Sequence, residues 1–591
     1  MKQRSQVPEN LKWKTEHIFA SQDEWNALYE SVQTKLDFSE FEGKLGNKES
    51  LLACYRKLYA VIYDIEKLYL YAHMRHDENT KDPLYTGLMQ KIGALDVKFS
   101  SSVSFITPEI TSLPEETLKA FISDPDFKDY DYELKLVIKE KPHVLSKETE
   151  AVLSLGGQVF RSFMDIFGMI NNADMPFPTV RIDGEKVTVS HGVYGVMLKN
   201  PDRKVRKEVF TKYYHAFRSL LNTITATYVG NVNKNVFIAR ARNYNSCLEM
   251  ALSNEDVDIS VYKNLLKAVN KALPQLHRYI RQKKQALGFK TMHMYDIYMP
   301  TVENCELELD YEDAFKLVKE GLAPLGEDYL SLLQEAHDNG WIDVEETDGK
   351  RSGAYSTGVY ASPHPYVLLN YQKSTSDVFT IAHELGHAMH TYHSNKYQPQ
   401  SKADYKIFVA EVASTVNEVL LLKYLLKTST DQKLRKYLLS YYTDMIKSTL
   451  FRQTMFAEFE YIAHEKAAKG EPMTSESLSA EYLALNKKYY GRSVVSDEEI
   501  SYEWARIPHF YTAFYVYKYA TGIISAISIA ERIYALGEPA VKDYKKFLSS
   551  GGSDSPVELL KLAGVDLTKQ DAYNLAMQSF KNALDEYESI E

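Results

Sequence analysis

Cysteine is scarce: Cys54, Cys247 and Cys305 are the only three in 591 residues. They are too few and too scattered for a disulfide framework or a cysteine metal site, and their odd number fits a reducing compartment. No run of 18 apolar residues occurs, which excludes an ordinary membrane-spanning helix. The opening M-K-Q-R-S-Q-V-P-E-N has no apolar signal region, so a cytoplasmic protein without a membrane partner is expected. Positive charge is in deficit, with 70 Lys and Arg against 80 Asp and Glu and a net charge of −10, which argues against nucleic acid as the main partner. The basic cluster Arg203, Lys204, Arg206 and Lys207 reads as a solvated helix face. There is no internal repeat and no low-complexity tract.

What is present is helical periodicity on a scale that can bury a large core in two or more lobes. Apolar residues recur at helical spacing near 50–80, 84–104, 146–170, 203–240, 260–287, 375–394, 405–426, 431–468, 512–536 and 566–588. Strand signals are few. Thr179 to Ile182, Asp183-Gly184, then Lys186 to Val189 predict a hairpin that closes a helical N-terminal region. A boundary near 195 follows, giving regions 1–195 and 196–591. The breaks at 343–353 and 549–556 read as loops within the second region.

The most specific pattern is His383-Glu384-Leu385-Gly386-His387. Helical twist puts His383 and His387 on one face a turn apart, where two imidazoles can share a metal ion, with Glu384 beside that face to poise water. Ser374-Thr375-Ser376-Asp377 supplies an N-cap with an acidic residue three positions on. Val378, Ile381, Ala382, Leu385, Ala388, Met389 and Tyr392 then face a core. Gly386 and Ala388 keep the helix thin, so another element can approach. This implies a zinc peptidase, with one Zn2+ per chain.

A catalytic zinc needs a third protein ligand and an open position. His393 falls where a metzincin places a third histidine, but position 390 is His390 rather than the glycine that would turn the chain. In a continuous helix His393 lies about 9 Å further along the axis than His387, on another side, and cannot reach. The helix at 405–426 is the better source. Glu411 lies among Val409, Val412, Ala413 and Val416, where an unpaired carboxylate is costly and a cation would be its partner. Glu418, two turns later on the same face, is the rival, a group that orients a ligand histidine, or an ordinary ion-paired glutamate.

H-E-L-G-H-A-M-H, followed 28 residues after its first histidine by the glutamate of F-V-A-E-V-A-S-T, resembles the oligoendopeptidase F family, relatives of thimet oligopeptidase. So do W-K-T-E-H-I-F with Trp13 and Phe19, A-R-A-R-N-Y-N-S-C-L-E-M-A-L at 239–252, and G-A-Y-S-T-G-V-Y through P-Y-V-L-L-N-Y before the metal motif. The resemblance spans nearly the whole chain. It implies a mainly α, two-lobed zincin-type metallopeptidase, with a small β-sheet next to the active-site helix and a deep substrate channel. It puts His383, His387 and Glu411 on the zinc. It also implies a C-terminal histidine followed by tyrosines that stabilise the transition state. His509 matches the histidine, with Tyr517 first among the tyrosines, then Tyr511 and Tyr515; Tyr519 is a further candidate.

These parts imply an endopeptidase acting on short, unstructured oligopeptides, in which a zinc-bound water attacks and Glu384 is general base. Tyr366 to Tyr371 reads as a strand that, if it is a sheet edge, can pair with an extended peptide; it can equally be fully paired within its own sheet. His364, between Pro363 and Pro365, reads as a loop residue. An exopeptidase is the first alternative, but no G-x-M-E-N segment is present. A peptide-binding protein without turnover is the second, yet Glu384 and the ligands are intact.

Overall fold

The structure, a computed structural model, describes residues 2–302, 305 and 307–590. It is mainly helical, and its sheets are small. Among the described residues no helix is long and apolar enough to cross a membrane. Contacts group the chain into two compact units. The first is Met1–Pro142, Glu306–Tyr424 and Ile529–Val565; the second is His143–Cys305, Leu425–Ser528 and Asp566–Glu591.

In the first unit, the helix Lys48–Glu78 packs with the N-terminal segment around Trp13, Phe19, Trp25 and Leu68, all buried. Trp13 Nε1 donates to Glu78 Oε1 at 2.7 Å, so the indole is fixed at both its apolar and its polar end. Its ring meets Tyr355 and Tyr366 of a three-stranded sheet. That sheet has the order Ile342–Asp343, Tyr366–Leu368, Tyr355–Thr357, parallel then antiparallel. The strand at Tyr366 is therefore central and buried, not an edge. The two edges of the sheet are Ile342–Asp343 and Tyr355–Thr357, the latter lying between Gly353 and Gly358. Asp77, buried on the long helix, accepts hydrogen bonds from Tyr355 O–H (2.9 Å) and Arg351 (3.0 Å) and so anchors this edge strand.

The histidine motif lies on the helix Thr375–Tyr397. Ser374 and Asp377 form the expected reciprocal cap at its start. The next long helix is Ile407–Thr428.

In the second unit, Thr179–Ile182 and Glu185–Thr188 form the expected hairpin. Asp183 and Gly184 both have positive φ (51° and 87°), as a two-residue turn matching the strand twist requires. The stretch 431–468 is two helices, Gln432–Ile446 and Arg452–Ala468, joined by a π-turn. The stretch 512–536 is helical only over Tyr517–Leu536, after a 3₁₀ turn at Pro508–Tyr511. The basic cluster is a solvated face only in part, at the exposed Lys204 and Lys207. Arg206 is buried and bonds Asp296 at 2.7 Å, and Arg203 bonds the other oxygen of the same carboxylate, so this fully buried anion is doubly paired.

Candidate metal centre and active site

The two helices that carry the motif and the glutamates touch backbone to backbone. A Cβ added at Gly386 would stand 2.6 Å from Ser414 Cα and 2.7 Å from Ala413 O, so only glycine permits this approach. Asn417 pins the pair by donating from Nδ2 to Ala382 O at 3.0 Å, while its Oδ1 accepts from Tyr329. The contact leaves Glu411 and Glu418 on either side of it, both turned toward His383.

Glu411 Oε2 lies 3.3 Å from His383 Nε2 and 3.5 Å from His387 Nε2, and the two Nε2 atoms are 3.2 Å apart. Donor atoms about 2.0–2.2 Å from one tetrahedral zinc are separated by about 3.3–3.6 Å, so this near-equilateral triangle matches one face of such a site. Two imidazoles and one carboxylate are also the donor set of a catalytic zinc. Among the described residues, this is the one cluster of three His, Cys, Asp or Glu side chains with donors close enough to hold an ion.

Glu418 Oε1 accepts a short hydrogen bond from His383 Nδ1. This fixes the tautomer in which Nε2 carries a lone pair toward Glu411 and His387. The sequence argument from burial does not hold: the Glu411 side chain is 42% exposed and that of Glu418 only 14%. Glu418 is the more enclosed because it serves a ring nitrogen on the far side of His383, while Glu411 opens toward the cluster's free corner.

Without a cation the cluster holds a proton tightly. Burial pulls the His383 imidazole down, but hydrogen bonds to Glu411 and Glu418 overcome this and push it up to about 10. Hydrogen bonds from His383 and His387 hold Glu411 well below the usual carboxylate range. Negative potential that binds a proton this firmly is equally available to a metal ion. Glu384 is buried next to the histidines. Burial raises its carboxyl, opposed by the two imidazoles.

His390, His393 and His364 are structural. His390 is fully buried, stacked on Tyr405 at 3.8 Å, with its pKa pushed down to about 3 by burial. His393 Nδ1 donates to Met389 O at 2.8 Å, back onto its own helix. His364 is buried and stacks on Trp341, its Nδ1 donating to Pro365 O and its Nε2 accepting from His17.

In the second unit, His509 is exposed, with a pKa lowered by partial burial, so it is neutral at pH 7. Tyr519 O–H lies 3.4 Å from its Nε2, and the ring of Tyr515 stacks at 5.9 Å. Both tyrosines are half-buried. Tyr511 is buried, with its hydroxyl on Thr227 at 2.8 Å and its ring on Phe167. Tyr517 is 1% exposed and packs on Tyr262. The structure therefore gathers Tyr515 and Tyr519 with His509 and turns Tyr511 and Tyr517 into the core. The cause is the irregular chain at 508–516, which a helical reading of the sequence passes over.

The chain resembles known proteins over nearly its whole length. Residues 196–579 match the model of peptidase family M3, and residues 109–177 match the model described as oligopeptidase F. The oligopeptidase PepF of Bacillus subtilis is 42% identical over 591 residues, covering 99% of this chain and 88% of the relative. The crystal structure of a protein from Chlamydophila abortus, described as a peptidase, superposes with a TM-score of 0.94 at 34% identity over the whole of both chains. That of oligoendopeptidase-F from Enterococcus faecium superposes with a TM-score of 0.74 at 35% identity, covering 96% of this chain and 99% of that one.

Proposed function

This chain belongs to peptidase family M3 and is a metalloendopeptidase, and on that premise we propose that it is zinc-dependent and cleaves internal bonds of short, unstructured oligopeptides. The observation that carries the reading is the triangle of His383 Nε2, His387 Nε2 and Glu411 Oε2, with its sides of 3.2 to 3.5 Å. A zinc ion held by these three groups would polarise a scissile carbonyl and lower the pKa of water toward about 7.

The chain's own groups supply the rest. Glu418 orients His383 through Nδ1. Glu384 takes the proton that an attacking water must lose and returns it to the departing amine. His509, with Tyr515 and Tyr519, offers neutral donors to the oxyanion, each worth about 3–4 kcal/mol when preorganised. Their exposure supports them over Tyr517 and Tyr511. The edge strand Tyr355–Thr357 offers main-chain groups to an extended peptide, a mode of binding that needs little side-chain preference.

The division into 1–195 and 196–591 remains our proposal for the chain's organisation, supported by the start of the M3 match at 196. A cytoplasmic setting is supported by the buried thiols of Cys54 and Cys247.

The test uses purified protein and an internally quenched peptide blocked at both ends. Internal cleavage that stops with a chelator and returns with zinc is expected. Cleavage that ignores the chelator, or a requirement for a free terminus, would reject the reading.

A further inference from the structure

Glu460 lies on the helix Arg452–Ala468 and is completely buried. Its Oε1 accepts the backbone N–H of Phe514 at 2.6 Å. Phe514 has φ +54°, a left-handed conformation that an aromatic residue adopts only when its surroundings impose it. Those surroundings are specific. The Phe514 ring packs on His464 at 4.7 Å and on Tyr262 at 5.7 Å. His464 is itself fixed, with Nδ1 donating to Glu460 O and Nε2 accepting from Asn235. The other end of the segment is held by the helix Leu221–Ala241: Asn231 donates to Phe510 O, and Thr227 meets the Tyr511 hydroxyl. Between and beside these anchors stand His509, Tyr515 and Tyr519.

We propose that Glu460 is a positioning residue for peptide hydrolysis: by accepting the Phe514 N–H it holds the left-handed turn at 514, and that turn sets Tyr515 and Tyr519 against His509. The inference rests on the role given above to His509 and its tyrosines. A leucine of similar volume would fill the space but leave the buried Phe514 N–H without its acceptor, so the carboxyl serves the turn rather than the packing. Burial also pushes the Glu460 acid well above the ordinary carboxyl range, and it is a carboxyl oxygen that accepts the Phe514 N–H. A glutamine offers the same acceptor at the same reach.

The experiment measures kcat and KM of the zinc-loaded full-length enzyme on the doubly blocked peptide, and Ki for a phosphinic peptide that mimics the tetrahedral state. Glu460→Leu is expected to lower kcat on the order of 10- to 100-fold, the scale of a displacement near 1 Å, with KM nearly unchanged. Ki should weaken in parallel with kcat. Glu460→Gln should restore most of kcat. On a background without any of the three groups (His509→Ala, Tyr515→Phe, Tyr519→Phe), Glu460→Leu should cost nothing further, because the groups it acts through are already gone. If the leucine variant does not fold, Glu460→Asp, which withdraws the acceptor by one methylene, takes its place. A folded Leu or Asp variant with wild-type kcat overturns the proposal, as does a loss that multiplies with that of the triple variant. Unimpaired turnover in His509→Ala alone strikes instead at the reading on which the proposal stands.

Discussion

Gly386 of the histidine helix meets the backbone of Ser414 so closely that a single added methyl would overlap it, 2.6 Å from Ser414 Cα. Two helices in such contact hold their side chains at separations set by the main chain, so Glu411 reaches the two Nε2 atoms without support from a flexible loop. Gly386→Ala should force the helices apart, costing about 1–3 kcal/mol in stability. It should also weaken metal affinity. Denaturant unfolding and a metal titration read the two effects separately, and wild-type behaviour in both would show that the helix pair does not need its close contact.

Replacing Glu384 by glutamine removes the proton acceptor while keeping the shape of the helix. Turnover should fall by about 10²- to 10⁴-fold, the usual worth of a general base. Metal content, measured by atomic absorption, should stay at one per chain. His383→Ala should give the opposite pattern, with the metal lost. A glutamine variant with full activity would remove Glu384 from the mechanism.

Glu418 touches His383 Nδ1 and not the metal-facing nitrogen. Glu418→Ala should therefore keep the binding stoichiometry and weaken zinc affinity by about 10- to 100-fold. Competition with a chromophoric chelator measures this directly. An unchanged affinity would mean that His383 is oriented by the helix contact alone.

Acid stability is predicted to depend on Glu503 in the second unit. Burial raises its carboxyl, but the charges of Arg452 and Arg506, with the Tyr482 hydroxyl, outweigh this and bring it to about 2 from an ordinary 4.5. The hydrogen bonds are 2.6 Å from Arg452, 3.0 Å from Arg506 and 2.5 Å from Tyr482. A carboxyl depressed in the folded state stabilises fully above its unfolded value, so the contribution is present above pH 4.5 and lost as pH falls toward 2. Glu503→Gln leaves the partly exposed guanidinium groups of Arg452 and Arg506 short of their buried anion and should cost about 3 kcal/mol at neutral pH. Its stability should then vary less between pH 4.5 and 2, as followed by circular dichroism.

The pair His383 and His387 with Glu384 was legible in the sequence because its geometry is local: a spacing of four on a helix fixes which face two side chains share. The cap at Ser374, the thin helix at Gly386 and the hairpin at Asp183-Gly184 were legible for the same reason. Each depends on neighbours within a few residues. The mainly helical fold followed from periodicity alone.

The tertiary structure decided what local rules cannot reach. Apolar neighbours singled out Glu411, yet its side chain is the more exposed of the two glutamates, and its place at the cluster comes from the crossing of two helices. Among the tyrosines after His509, the sequence favoured Tyr517, then Tyr511 and Tyr515, over Tyr519. The irregular turn at Phe514 sends Tyr517 inward and leaves Tyr515 and Tyr519 beside the imidazole. Arg206 is buried by Asp296, a residue 90 positions away. Sequence by itself determined the groups that neighbouring backbone positions and helical twist bring together. Which distant carboxylate, tyrosine or counter-ion completes each group depended on packing between elements remote in the chain, which no local periodicity records.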